Sequence, residues 1–160
     1  MKLISTTLLD DLALKAAGSP RRRAHFNLHS SAADPVQRFV VVAHRDSYVR
    51  PHRHHTKSEL ATVIRGQFEL VIFDDAGVVT SREIVGEGSG TIAFELPRAT
   101  WHTLIPLTDG AAFLEVKEGP YDASTAAEFA PWAPEEGSAK TRQFQEWVAG
   151  APVGTSAPAD

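Results

Sequence analysis

Three of the seven histidines of the chain, His52, His54 and His55, fall within four residues in the stretch RPHRHHTKSELATVIRG, and Glu59 follows them. Imidazoles and carboxylates ligate divalent metals and move protons near neutral pH. Side chains at i and i+2 of a strand share a face, so His52 and His54 project together while Arg53 and His55 point the other way. Glu59 lies beyond HTKS, far enough on for the chain to turn and return the acid to the same cavity, and Gly66 offers a tight turn into the next strand. A pair of alternating histidines also decorates exposed strands, so a second segment is needed. It comes in ELPRATWHTL, where Pro97 leads by a short turn into a strand with Thr100, His102 and Leu104 on one face, and His102 could supply a fourth ligand.

The elements that must position these residues are legible as periodicities. Residues 5–17 carry a helical pattern, with Thr7 and Asp10 at capping-box spacing, Leu8, Leu9, Leu12 and Ala16 at helical intervals, and Gly18 then Pro20 as the stop. From Ala24 to Lys117 short alternating or β-branched runs separated by turn signals predict an all-β domain. The runs are AHFNLH, RFVVVAH, SYVRPHRH, ELATVIR, QFELVIF, VVTSREIV, TIAFEL, TWHTLIPL and AAFLEVK, with DDAG at Asp74 to Gly77 as a hairpin turn. APWAP reads as an extended strap whose Trp132 packs on the β domain, followed by a second short helix with Ser138 as N-cap and Phe144, Trp147 and Val148 as its apolar stripe. One domain is expected: an N-terminal helical segment over 1–20, the β unit over 21–120, a strap and helix over 121–149, and a flexible tail over 150–160.

Composition excludes several classes of function. The absence of cysteine removes disulfides, thiolate metal sites and thiol nucleophiles, so a metal must be held by His and carboxylate. A net charge of -4 gives no reason to expect nucleic acid, and the run Arg21 to Arg23 is too short to reverse that. Asp10 and Asp11 interrupt what would be the apolar core of a signal peptide, and no run approaches the roughly 18 apolar residues of a membrane span. The expected setting is cytoplasmic, without a membrane partner. Exposed strand edges are commonly covered by pairing, so a homodimer is expected.

Further polar residues are patterned. Parity along SYVRPHRH puts Tyr48 and Arg50 on the face of His52 and His54, where the Arg50 fork could hold a carboxylate or phosphate, or form a rim salt bridge. In EVKEG, Glu115 and Lys117 share one face and Leu114 and Val116 the other. Facing inward, Glu115 and Lys117 are candidate acid-base groups; facing outward they are a solvated pair. His25, Asn27 and His29 share a face in RAHFNLH, and could line the cavity mouth, form a second weak metal site, or face water. His44 and His55 have no partner pattern and are expected at the surface.

The two histidine segments resemble the two signature motifs of the cupin superfamily, the first supplying two histidines and a glutamate and the second, built around P-x-G-x-x-H, the last histidine. The resemblance implies a single cupin-type, jelly-roll-like antiparallel β-barrel flanked by the two short helices, with His52, His54, Glu59 and His102 as metal ligands and Gly66 closing the first motif. Asp46 stands where the first motif usually opens with glycine, Ala99 replaces the glycine after Pro97, and no asparagine follows His102. Through SPRRRAHFNLH, DPVQRFVV, SYVRPHRH, FDDAG, WHTL and EVKEGPYD the chain is more closely similar to the WbuC family of cupin-fold metalloproteins, which is associated with bacterial surface-polysaccharide synthesis. Three imidazoles and a carboxylate suit one divalent transition metal, Fe, Mn, Ni, Co or Zn. Two functions are open on this reading. One is a metal-dependent enzyme on a small polar or anionic metabolite, such as a sugar or sugar acid, acting by isomerisation or epimerisation, or by oxygenation with Fe(II). The other is a non-catalytic module that captures such a ligand.

Overall fold

The computed structural model describes residues 1–158 and contains two helices and ten strands. Helix α1 (Thr6–Ala17) is capped by Ser5, whose hydroxyl accepts the Leu8 amide, two residues earlier than the expected Thr7 box. Strands β1 (Arg23–Asn27), β2 (Val36–Ala43), β9 (Ala111–Glu118), β4 (Glu59–Arg65) and β7 (Ala93–Leu96) form one antiparallel sheet in the order β1-β2-β9-β4-β7. The second sheet runs β10-β3-β8-β5-β6, from β10 (Glu128–Phe129), β3 (His52–Arg53), β8 (Trp101–Pro106), β5 (Gln67–Phe73) and β6 (Val79–Gly86). Apart from the β1–β2 and β5–β6 hairpins, consecutive strands alternate between the sheets, which gives the jelly-roll arrangement expected of the sequence. Among the described residues, no helix is long and apolar enough to cross a membrane.

Strand periodicity sorts the side chains into layers. The outer face of the first sheet presents Val40, Val42 and Ala112 to Leu9 and Leu12 of α1. Between the sheets, Phe68, Leu70, Leu96, Leu104 and Phe113 pack together, with the Phe68 and Phe113 rings edge to face at 5.2 Å. On the outer face of the second sheet, Val71, Phe73 and Trp101 meet Phe144 and Val148 of helix α2 (Thr141–Gly150) and Ala130 and Ala133 of the strap. Trp132 packs here as expected, its ring 4.9 Å from that of Phe73.

Two expectations are corrected. Ser138 is not the cap of α2: Lys140 holds that position, and Ser138 instead closes a turn by accepting the Thr141 amide at its carbonyl. The tail is not free over 151–157. It runs beside β6, where Val78 bridges Ser156 and the Val79 amide donates to the Thr155 carbonyl. Its small and proline-rich composition suits a segment that pairs through backbone alone. The last part of the predicted flexible tail, 159–160, lies outside the described residues.

Gly66 turns β4 into β5 with φ +65°, and a Cβ built there would lie 2.1 Å from the Thr108 hydroxyl, which accepts the Gln67 amide. Gly66→Ala therefore combines a left-handed backbone with the loss of that hydrogen bond. A destabilisation of about 2 kcal/mol or more is expected, measurable by urea unfolding of the two proteins.

Candidate metal centre

One end of the interior is apolar and the other is polar. β3 pairs with β8 at His52↔His102, which sets these imidazoles side by side with ring centroids 4.4 Å apart. His54 lies on the same face, its ring 5.1 Å from that of His52 and 5.9 Å from that of His102. One ligand nitrogen from each of the three can be chosen so that all lie within 4.8 Å of one another. Glu59, the first residue of β4, enters from the opposite sheet and places Oε2 3.0 Å from His54 Nε2 and Oε1 2.9 Å from His102 Nε2. His54, Glu59 and His102 are 6%, 5% and 2% exposed, so these groups interact outside bulk water.

Hydrogen bonds fix the orientation of each ring. Nδ1 of His52 meets the Arg50 carbonyl at 2.9 Å, Nδ1 of His102 meets the Thr100 carbonyl at 2.9 Å, and Nδ1 of His54 meets the Ala126 carbonyl. A carbonyl oxygen only accepts, so Nδ1 carries the proton and a neutral ring presents the lone pair of Nε2 to the interior. This is how protein chains orient metal-ligating histidines. His54 Nε2 is buried without a hydrogen bond of acceptable geometry even though Glu59 Oε2 stands 3.0 Å away. A lone pair facing a carboxylate at that separation is relieved by a proton on Nε2 or by a metal cation bound to both, and the donor set of three imidazoles and one carboxylate fits a divalent transition metal.

The titration behaviour follows from the same contacts. Burial, then the charge of His102, holds His52 well below its ordinary pKa. Burial also opposes the charged form of His102, but the hydrogen bond and charge of Glu59 outweigh it and leave the pKa raised. For Glu59 burial favours protonation, and the two imidazoles on its oxygens overcome it, holding the carboxyl well below the usual range.

The remaining predicted residues divide into three groups. Glu115 and Lys117 face inward, because Leu114 and Val116 take the outer face of β9. Lys117 is ion-paired with Glu115 and lies 3.9 Å from Glu59 Oε2. His25, Asn27 and His29 line a cavity of about 810 Å³ that Lys117 also lines, so they are brought to the cavity and not to the imidazoles. Arg50 and Tyr48 are brought to neither. Arg50 donates to the Ala133 and Ala130 carbonyls at 3.0 and 3.2 Å, and Tyr48 donates to the Pro134 carbonyl at 3.0 Å with its ring against Phe144. The parity argument fails there because residues 47–51 run outside any strand into Pro51, and alternation holds only in regular pleated chain. His55 is exposed and paired with Glu128, while His44 is mostly covered and meets the Ala13 carbonyl at 3.0 Å.

Sequence reasoning missed the cavity walls from β2, Gln37, Phe39 and Val41, although alternation with Val40 and Val42 marks that face. It also missed Ala126, which acts through its backbone and leaves no mark in the residue type.

Fold and site together define a cupin-fold protein with a buried histidine-carboxylate centre. The chain belongs to the family described as Domain of unknown function (DUF6016), whose model matches residues 4–85 and so takes in His52, His54 and Glu59. No curated protein matches the chain. Among solved structures it is similar to the capsular polysaccharide assembling protein CapF of Staphylococcus aureus, at 18% identity over 66% of this chain and 28% of that one, with a TM-score of 0.54. It is likewise similar to an oxalate oxidase in complex with the substrate analogue glycolate, at 20% identity over 71% of this chain and 57% of that one, with a TM-score of 0.53. A Shewanella oneidensis protein matches at 11% identity over 66% of this chain and 72% of that one, with a TM-score of 0.53. These likenesses are of fold, and the chain spans under a third of CapF and just over half of the oxalate oxidase.

Burial, reinforced by the charge of Glu59, pushes the Glu115 carboxyl up from 4.5 to about 7. The folded metal-free protein thus keeps a proton that the unfolded chain releases. The stability this contributes is fully present below pH 4.5 and is lost as the pH rises through about 7. Glu115→Gln removes the dependence, so its stability relative to the parent should climb by roughly 3 kcal/mol between pH 4.5 and 8, read from chemical unfolding of metal-stripped samples across that range.

Proposed function

We propose that the chain is a metal-dependent protein that binds a small polar or anionic metabolite, of the sugar or sugar-acid class, and acts on it at His52, His54, Glu59 and His102. The observation that carries this is the orphaned His54 Nε2, held by its ring partner toward a buried carboxylate. A bound divalent ion would supply Lewis-acid polarisation of a substrate oxygen, and Fe(II) would add oxygen chemistry. The residues of the chain contribute the rest. Glu59 and the three imidazoles fix the position of the reacting end, the sheets exclude bulk water, and Lys117 with Glu115 forms the wall against which a substrate's polar groups lie. The resemblance to the WbuC family, together with the fold shared with a capsular polysaccharide assembling protein, supports a place in bacterial surface-polysaccharide synthesis.

Metal analysis tests the site directly. Protein purified without added metal, then dialysed against Co(II) or Mn(II), should retain about one equivalent per chain, and His54→Ala should lose most of it. The variant should keep the parent's far-UV circular dichroism, because the three apolar clusters do not include His54. Full metal retention by that variant would sink the assignment. The same proposal includes a homodimer covering the open edge strands β1 and β7, so light scattering at micromolar concentration should give twice 17.3 kDa.

A further inference from the structure

We propose that the cavity beyond Lys117 is a second compartment of the same site, built for an oxyanion, so that the ligand is elongated, with one end at the imidazoles and a phosphate or carboxylate on the β1 side. The proposal rests on the metal reading above.

Strand register sets the compartments side by side. On the inner face of the first sheet, Gln37 pairs with Lys117 and Lys117 pairs with Glu59 in one row across three strands. The neighbouring row runs Asn27, Phe39, Glu115 and Ala61. The first row leads from the cavity wall through Lys117 to Glu59 at the metal centre, and the second leads from the edge strand β1 through Phe39 to Glu115. The ammonium of Lys117 stands at the boundary, 3.9 Å from Glu59 on one side and 5.2 Å from the Phe39 ring centroid on the other. At about 810 Å³ the cavity is within the roughly 300–1,000 Å³ range of pockets that hold drug-sized ligands, so it has room for a substantial part of a ligand beyond the reacting end.

Charge identifies what that part is. Among the described residues, no carboxylate lines the cavity, whereas Lys2, Arg21, Arg23 and Lys117 all do. The nearest balancing acid on the outer side, Glu136, is gripped by both Arg21 and Arg23, so the trio retains one positive charge. Lys2 is held by the carbonyls of Asn27, Leu28 and His29, which orient its ammonium without neutralising it. His25 and Asn27 add hydrogen-bonding groups between these cations and the Phe39 wall. A cavity with fixed cations and no acid on its surface favours an anionic guest.

Calorimetric titration of the full chain at low ionic strength, with pyrophosphate and with succinate as probes, tests this. One or both should bind, and Lys2→Gln and Arg21→Gln should each weaken binding roughly tenfold while leaving cobalt content unchanged, since neither touches the imidazoles. Preference for pyrophosphate or for succinate distinguishes a phosphorylated from a carboxylated ligand, and either result supports the compartment. Binding must also persist in metal-stripped protein. No binding of either probe, binding untouched by both substitutions, or binding that vanishes with the metal would overturn the proposal, the last by placing the anion on the ion itself. Failure of the metal reading shows separately, as cobalt retention by His54→Ala, and leaves the anion titrations interpretable.

Discussion

The burial of the Glu59 carboxylate is the constraint around which the rest of the structure is arranged. Taking one carboxylate out of water costs several kcal/mol, and an unaided acid in that position would simply protonate. Here it is held ionised by His54 and His102 from the facing sheet and by Lys117 from its own. Those partners can reach it only if β3 and β8 are in register at His52 and His102, and if β4 and β9 are in register at Glu59 and Lys117. Sliding either pairing by one residue would turn every inward polar group outward. The jelly-roll register and the charge balance of the site are therefore the same requirement stated at two scales.

The strap carries the second half of that requirement. It crosses the edge of β3 as β10, pairing Glu128 with Arg53 and Phe129 with His52, and its Ala126 carbonyl accepts a hydrogen bond from His54 Nδ1. Arg50 and Tyr48 fasten the strap further on, and the Arg53 guanidinium, stacked over Trp101 at 4.2 Å, binds Glu128 at 2.6 Å. Residues that look from sequence like ligand readers are in this way committed to the segment that orients a ring of the metal centre. Their guanidinium and phenol groups donate to the Ala130, Ala133 and Pro134 carbonyls and so tie the strap to the chain before Pro51.

What could be read from the sequence follows the physics of periodicity. Eight of the nine strand runs correspond to strands of four to eight residues, because alternation is imposed by burial of one face, whereas SYVRPHRH holds only the two-residue β3. β10 escaped because two residues cannot display a period. The shared face of His52 and His54 was legible from parity and the room for Glu59 to return from its spacing, whereas the joining of His102 and Glu59 to them was implied by the resemblance to the two cupin motifs. The parity reading of Arg50 and Tyr48 failed because only His52 and Arg53 of SYVRPHRH are paired strand, and the chain before Pro51 is irregular. The direction in which Glu115 and Lys117 face could not be decided locally. Leu114 and Val116 are apolar enough to be core, and they lie on the outer face instead, Leu114 beside the cluster under α1. Tertiary covering, invisible in a five-residue window, decides such cases.

That outcome explains how a small domain accommodates so polar an interior. Three apolar clusters, one under α1, one between the sheets and one under α2 and the strap, hold the layers together without using the site. Because α1 packs on one outer face of the sandwich and α2 with the strap on the other, the space between the sheets does not have to be apolar along its whole length. Phe68 and Phe113 fill one end, and two residues further along β9 the inward positions pass to Glu115 and Lys117. The charged end is then free to be arranged for binding rather than cohesion: Glu59, Glu115 and Lys117 lie on adjacent strands, each the other's counter-charge or neighbour, and the imidazoles face them across the gap. Stability and chemistry thus occupy different side chains on the same strands, alternating in and out with the pleat, which is why substitutions among the inward polar residues can change what the centre holds while the apolar layers keep the fold.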